Sequence, residues 1–384
     1  MKRVLIITRN FPPLLGGMER LGFNIYKQLR THFDCDIVGP TGSGAALQRG
    51  QKAWECRPSP VSVFIVTALL KSFWATARNK YQVCIAGSGV TALIAVIISR
   101  LRGIHSITFI HGLDLIANNR IYQNIFVPFI KYSDIVVANS HNTARLAEKV
   151  GVPGNKITIL HPGVDMPEEI RGHRNFRESH NLQGKSLLLS VGRLIPRKGL
   201  AEFIRHSLPA VVRQHNNTTF VIIGSEPEDA LDKGGRVLKD IQAAIVETGL
   251  EQHVILVGQV EESVLQAAYR EADFFIFPLR ETPGDVEGFG MVAVEAAAFG
   301  LPTIAFSEGG VCDAVKQGES GFLVAPGDYD AFSKTIINCL DNTVPAPSPA
   351  SCRTFAGRFH WDRFGDRLRC IVISASAQAS RETE

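Results

Sequence analysis

The chain repeats one pattern: a short apolar run, a turn rich in Gly, Pro or Asn, then a stretch with helical spacing. The runs are Val4–Thr8, Cys35–Gly39, Val83–Ala86, Ser106–Ile110 and Ile135–Asn139 in the first half. Ser186–Val191, Thr219–Ile223, Val254–Leu256, Phe274–Phe277 and Thr303–Phe306 follow in the second. Continuous apolar runs of this length read as strands buried on both faces. Their alternation with helices predicts α/β domains with parallel sheets covered on both sides. The turn His161–Asp165 and the charged, apolar-poor stretch Pro167–Gly184 interrupt the pattern, so the 384 residues suit two domains. The expected division is 1–165, a linker at 166–184, 185–350, and a terminal segment at 351–384.

Composition narrows the function classes. Hydrophobic residues make up 45% and charged residues 20%, enough for a sizeable core without oligomerisation. A net charge of +4 is too weak to argue for nucleic acid. The seven cysteines are scattered with no CxxC pair, which argues against a disulfide framework or zinc site and fits a reducing cytoplasm. Met1–Ile7 imitates a signal peptide, but its apolar run is too short, and a buried first strand fits better. The longest uncharged apolar run, Val90–Ile98, falls far below a membrane span of about 20 residues. Two stretches mix apolar, aromatic and basic residues, at 62–80 and at 120–131. Each either packs on the core or docks on an anionic membrane surface, and core packing is the default. Thr41–Gly50 reads as a mobile loop, and Phe355–Ile373 as one helix.

The stretch Pro283–Ala297 concentrates the chemistry. It opens as a Pro/Gly loop, passes Glu287, Gly288, Phe289 and Gly290, and closes as an Ala-rich helix carrying Glu295 about two turns inside. A helix that starts at glycines offers bare N–H groups and the positive end of its dipole to an anion, above all a phosphate. Two carboxylates so spaced can grip two ends of an elongated ligand, and a sugar nucleotide has that shape. The alternative is a buried helix with a solvated Glu at each end.

Arg193 and Lys198 flank a Pro-containing loop after Ser186–Val191, where two cations suit a diphosphate and can stabilise a leaving group. Arg197 between them reads as solvated. Gly16 and Gly17 lie between the first strand and a helix through Leu21, Ile25 and Leu29, which lets backbone approach a phosphate or simply turns the chain. His111 and Asp114 follow Ser106–Ile110, at the edge where parallel sheets bind ligands.

The segment EGFGMVAVEAAAFGLP, with Glu287 and Glu295 separated by seven residues, resembles the retaining glycosyltransferases of family 4. The resemblance runs through most of the second half and, in the first, is confined to Gly16–Glu19, His111-Gly112 and the junction. It implies the GT-B fold: two Rossmann-like domains facing a cleft, with a C-terminal helix crossing back to the first. It implies transfer of a hexose from a nucleoside-diphosphate sugar to a glycan or lipid-linked acceptor. On it, Arg193 and Lys198 hold the diphosphate, and Glu287 and His111 contact the hexose. Glu295 binds the ribose, while Gly16, Gly17, Gly258, Gly288, Phe289 and Gly290 let backbone approach the donor. No Asp-x-Asp motif stands where a metal on the donor would need it, which implies metal independence. The Gly-Asp-Val-Glu-Gly stretch is similar both to mannosyltransferases acting on lipids and to enzymes of surface polysaccharide assembly, hence an envelope product made at or near the inner face of the cytoplasmic membrane. A sugar-nucleotide epimerase and a non-catalytic binding protein remain as alternatives.

Overall fold

The computed structural model describes residues 2–167, 176–226 and 236–381. The chain divides into two compact units, Met1–Gly163 with Trp361–Glu384, and Val164–His360. The first unit holds a parallel sheet of β1 (Arg3–Ile7), β2 (Asp34–Pro40), β3 (Ala53–Cys56), β4 (Val83–Ala86), β5 (His105–Ile110), β6 (Ile135–Ala138) and β7 (Ile157–Ile159). Its strand order is β3-β2-β1-β4-β5-β6-β7. The chain moves outward from β1 in one direction, then restarts beside it at β4. Such a reversal opens a crevice at the carboxyl ends of the two central strands, where ligands of α/β proteins bind.

The second unit repeats the plan with β8 (Ser186–Val191), β9 (Thr218–Ile223), β10 (Val254–Gly258), β11 (Phe274–Phe277), β12 (Thr303–Phe306) and β13 (Gly321–Val324). Its order is β10-β9-β8-β11-β12-β13, so the reversal falls between β8 and β11. Phe274 pairs with Leu188 and Phe275 with Leu189 there. Leu187, Leu189, Val221, Phe275 and Phe277 point into one apolar layer, and Leu188, Phe220, Ile222 and Ile276 into the other. That two-sided burial is why these strands read as continuous apolar runs.

Helices used below are α1 (Gly17–Leu29), α2 (Val61–Arg78), α3 (Gly89–Arg102), α4 (Met291–Ala298), α5 (Pro349–Ala356) and α6 (Trp361–Arg381). The expected face of α1 is buried through Leu21, Ile25 and Leu29. Ser140 caps the helix after β6 by accepting the Thr143 N–H at 3.0 Å.

Several expectations need correction. The single helix expected over Phe355–Ile373 is two, α5 and α6, separated by the turn Gly357–Phe359. Only α6 joins the first unit; α5 packs on α4 in the second, with Cys352 and Phe355 buried in its core. The terminal segment of the first unit therefore starts at Trp361, not near residue 351. Of the linker expected at 166–184, residues 168–175 lie outside the described residues. Phe176–Ser179 is a helical turn of the second unit: Phe176 is buried, and the Glu271 carboxylate accepts the N–H groups of Phe176 and Arg177 at 3.1 and 2.7 Å. Within the Gly/Ser-rich 41–50 stretch, Ser43–Ala46 forms a 3₁₀ turn, and the buried Ser43 hydroxyl donates to the Pro40 carbonyl at 2.5 Å.

Candidate functional site

Two loops leave the central strands of the second unit side by side. After β8 the chain passes Gly192 and Arg193 into a 3₁₀ turn, Pro196–Lys198, closed by Gly199 at φ 64°. After β11 it passes Pro278 into the loop that carries Asp285 and Glu287. The loops are tied together, since the Arg280 N–H donates to the Arg197 carbonyl at 3.0 Å. A Cβ on Gly199 would run into the Pro278 carbonyl oxygen, so only glycine permits this approach.

The side chains then interlock. Lys198 Nζ donates to Glu287 Oε2 at 2.8 Å and lies 4.5 Å from the centroid of the Phe277 ring. Arg197 Nη1 donates to both Asp285 oxygens at 2.9 and 3.0 Å. Its Nε and Nη2 reach Glu287 Oε2 at 3.3 Å each. The side chains of Arg197, Lys198 and Glu287 are only 12%, 11% and 13% exposed, so the charges interact through little water. Burial alone would raise the Glu287 pKa, but Lys198 and then Arg197 override it and hold the carboxyl at about 2. Burial, aided by the charges of Arg197 and Arg193, pulls the Lys198 pKa below that of a free lysine, although Glu287 opposes it.

Arg197 is therefore not the solvated residue the sequence suggested; it is the largely buried tie between the two loops. Arg193 is exposed, outside the ion-pair cluster, though its charge is felt at Lys198. The backbone of Glu287 is held from a third loop: its carbonyl accepts the Gly310 N–H at 2.9 Å. A Cβ on Gly310 would meet the Gly288 carbonyl, and one on Gly309 the Glu287 carbonyl at 2.8 Å. The Gly309-Gly310 pair thus serves close backbone packing against the acidic loop.

Gly290 is the N-cap of α4 at φ 95°, with no side chain capping the helix. The helix begins at Met291, so Glu295 is its fifth residue, little more than one turn in and not two. Glu295 is half-buried, as is Gly288, while the Phe289 side chain is core and packs 5.6 Å from the Phe359 ring centroid. Phe289 has only its backbone to offer a ligand. Gly258 ends β10 at φ 80° with nothing within 4 Å of where a Cβ would stand, and its carbonyl accepts the Gly224 N–H at 2.9 Å.

The remaining candidates lie in the first unit. Gly16 is the N-cap of α1, exposed beside Gly17, and Glu19 curls back so far that a Cβ on Gly16 would strike its carboxylate. Glu19 is anchored by the Asn10 amide at 2.6 Å. His111 follows β5, and its Nε2 lies 2.9 Å from the Gly87 carbonyl. That contact requires the proton on Nε2 and leaves the Nδ1 lone pair available. Asp114 is a brace: Oδ2 accepts the His111 N–H at 2.8 Å, and Oδ1 accepts the Gly89 N–H at 3.1 Å and the Tyr122 hydroxyl at 3.2 Å. Those bonds occupy it in holding the histidine turn, so a direct substrate role is the weaker assignment.

Comparison with solved structures identifies the fold. The chain superposes on Anabaena HepE, solved in complex with UDP, with a TM-score of 0.78 at 19% identity, over 97% of this chain and 100% of that one. It also superposes on a glycosyltransferase from Rickettsia africae with a TM-score of 0.77 at 15% identity, covering 97% and 98%. The fold is GT-B, with two Rossmann-like domains. The family model for glycosyl transferases group 1 matches residues 173–356, and that for Glycosyltransferase Family 4 matches 15–167. The sequence is 26% identical, over 99% of each chain, to the GDP-mannose-dependent alpha-(1-6)-phosphatidylinositol monomannoside mannosyltransferase of Mycolicibacterium smegmatis. It is 28% identical to the D-inositol 3-phosphate glycosyltransferase of Geodermatophilus obscurus over 66% of this chain and 55% of that one. The chain belongs to the family 4 glycosyltransferases and is an enzyme of that kind.

Proposed function

We propose that the chain is a retaining, metal-independent hexosyltransferase using GDP-mannose, or failing that a UDP-hexose, and acting on a lipid-linked or glycan acceptor of the cell envelope. Such an enzyme would work in the cytoplasm, at or near the inner face of the cytoplasmic membrane. The observation that carries the reading is the desolvated Arg197–Lys198–Glu287 cluster at the sheet reversal of the second unit. GDP-mannose is favoured because the full-length relative named above is GDP-mannose-dependent.

In this reading Lys198 exchanges its ion pair with Glu287 for a phosphate oxygen of the donor, and exposed Arg193 adds a second cation. Glu287 then has lone pairs for hexose hydroxyls, and Arg197 keeps it in place. Glu295 accepts from the ribose hydroxyls. The His111 Nδ1 lone pair accepts from a substrate hydroxyl. As the bond from the anomeric carbon to the diphosphate breaks, the leaving oxygen takes the electron pair, and the cations offset its charge. The acceptor oxygen bonds to the same face, and its proton passes to the departing phosphate, the nearest base. The chain's own cations supply the charge that a metal would otherwise supply.

The test is incubation with GDP-mannose and UDP-hexoses, with a crude lipid acceptor, in excess EDTA. Transfer with the anomeric configuration kept is expected. Loss of activity in EDTA, an inverted product, or epimerisation without acceptor would overturn the corresponding part. Separately, Glu295→Ala should weaken nucleotide binding by about tenfold or more, the value of a charge-assisted hydrogen bond. Calorimetry with GDP and UDP reads it; an unchanged affinity for both removes Glu295 from the ribose.

A further inference from the structure

The outward face of α2 is apolar where a surface helix should be polar. Val63, Val66, Leu70 and Phe73 recur every three or four residues along it, with Trp74 beside Phe73. Val66, Leu70, Phe73 and Trp74 are 58%, 57%, 46% and 53% exposed. The opposite face, with Phe64, Ala68 and Ala75, fills the core beside β4 and α3. One amphipathic face is thus satisfied, and a second apolar stripe is left in water. For residues 62–80 the structure shows a core face and, among the described residues, a second apolar face left exposed.

The charge around the stripe is one-sided. From Cys56 to Leu113 the sequence has no Asp or Glu, yet it carries Arg57, Lys71, Arg78, Lys80, Arg100 and Arg102. Among the described residues, the carboxylates that other elements bring near are Glu55, beside Lys71, and Asp134, 3.7 Å from Arg100. Arg78 and Arg102 instead lie over the exposed rings, 4.8 Å from the Trp74 centroid and 4.7 Å from that of Phe73. Apolar side chains, ring edges and uncompensated guanidinium groups share one strip.

We propose that this strip is a docking surface for an anionic lipid bilayer. The apolar side chains enter the boundary between headgroups and acyl chains, and Arg78 and Arg102 meet lipid phosphates. By length and composition α2 could cross a membrane, with mean hydropathy 1.3. Its inner face is committed to the core, so it lies on the surface. A second copy of the chain fits less well, because like cations would face each other across the two-fold axis of a dimer. The inference deepens the lipid-acceptor reading and rests on it for its purpose, but it can be read independently of turnover.

The experiment floats the full chain with vesicles of phosphatidylcholine alone, or with about a third phosphatidylglycerol. Binding to the anionic vesicles is expected, weakening as salt rises. Leu70→Glu with Trp74→Glu should lower partition by at least about tenfold, and so should Arg78→Glu with Arg102→Glu. Trp74 is the exposed one of Trp54, Trp74 and Trp361, so tryptophan emission should shift to the blue on vesicles, and Trp74→Phe should abolish the shift. Transfer to a short-chain, water-soluble acceptor should be unchanged in Leu70→Glu with Trp74→Glu. Wild-type protein that ignores anionic vesicles, or variants that bind as well, would overturn the docking surface; so would a sedimenting dimer that the variants split. Binding without transfer would leave the surface standing and remove the transferase reading.

Discussion

Replacing Lys198 by alanine should lower kcat by about 10²–10³-fold, the usual cost of removing one group that stabilises developing charge. The ammonium sits on a short turn between β8 and the loop holding Glu287, against the Phe277 ring, with 11% of its side chain exposed. Little water is left to replace it. Its pKa is already pulled down by burial and by the neighbouring arginines, so the site must supply an anion to keep it charged. Glu287 does this before the donor binds, and a diphosphate would do it better. The folded state should tolerate the change, because Glu287 keeps Arg197. Single-turnover kinetics with saturating donor separate the chemical step from binding. A variant with wild-type kcat would remove Lys198 from leaving-group stabilisation. Lys198→Arg should recover little, since a planar fork does not fit a pocket built for a point charge.

Glu287→Gln should destabilise this unit by about 3–5 kcal/mol, because it leaves Lys198 without its anion and Arg197 with Asp285 alone. It should also change how the protein responds to acid. The Glu287 carboxyl sits at about 2 in the folded chain against an ordinary 4.5. Its contribution to stability is therefore complete above pH 4.5 and is lost as pH falls through about 2. Over that window the wild type should lose on the order of 3 kcal/mol from this group, and the Gln variant none. Denaturant titrations at several pH values read the difference. Equal acid slopes in the two proteins would mean that the carboxylate is not held by Lys198 and Arg197.

The sheets were legible because strands buried on both sides leave unbroken apolar runs. The strands the sequence did not announce are β3, β7 and β13, and each is an edge of its sheet. An edge strand is short, packs on one neighbour, and tolerates residues such as Glu55 in β3. The pairing of Lys198 with Glu287 could be anticipated because charges in Gly-rich loops after buried strands have few structural uses. Arg197 was not, since a cation in a loop is usually solvated. The available signal was stoichiometric: Asp285 and Glu287, two residues apart in a partly buried loop, need more positive charge than Lys198 provides. Asp114 looked like chemistry because it follows His111, but its oxygens are taken by the turn it stabilises.

The return of α6 to the first unit has a consequence for biosynthesis. Trp361, Phe364, Leu368, Val372 and Ala375 are buried, and α6 packs against α1 at the opposite end of the chain. A ribosome releases Val164–His360 before it releases that helix. The middle of the chain can therefore finish folding first, while the unit begun earliest waits, with an apolar groove open along α1, for its last piece. Chaperone demand during translation should fall on the nascent amino-terminal segment and persist until the final turns emerge.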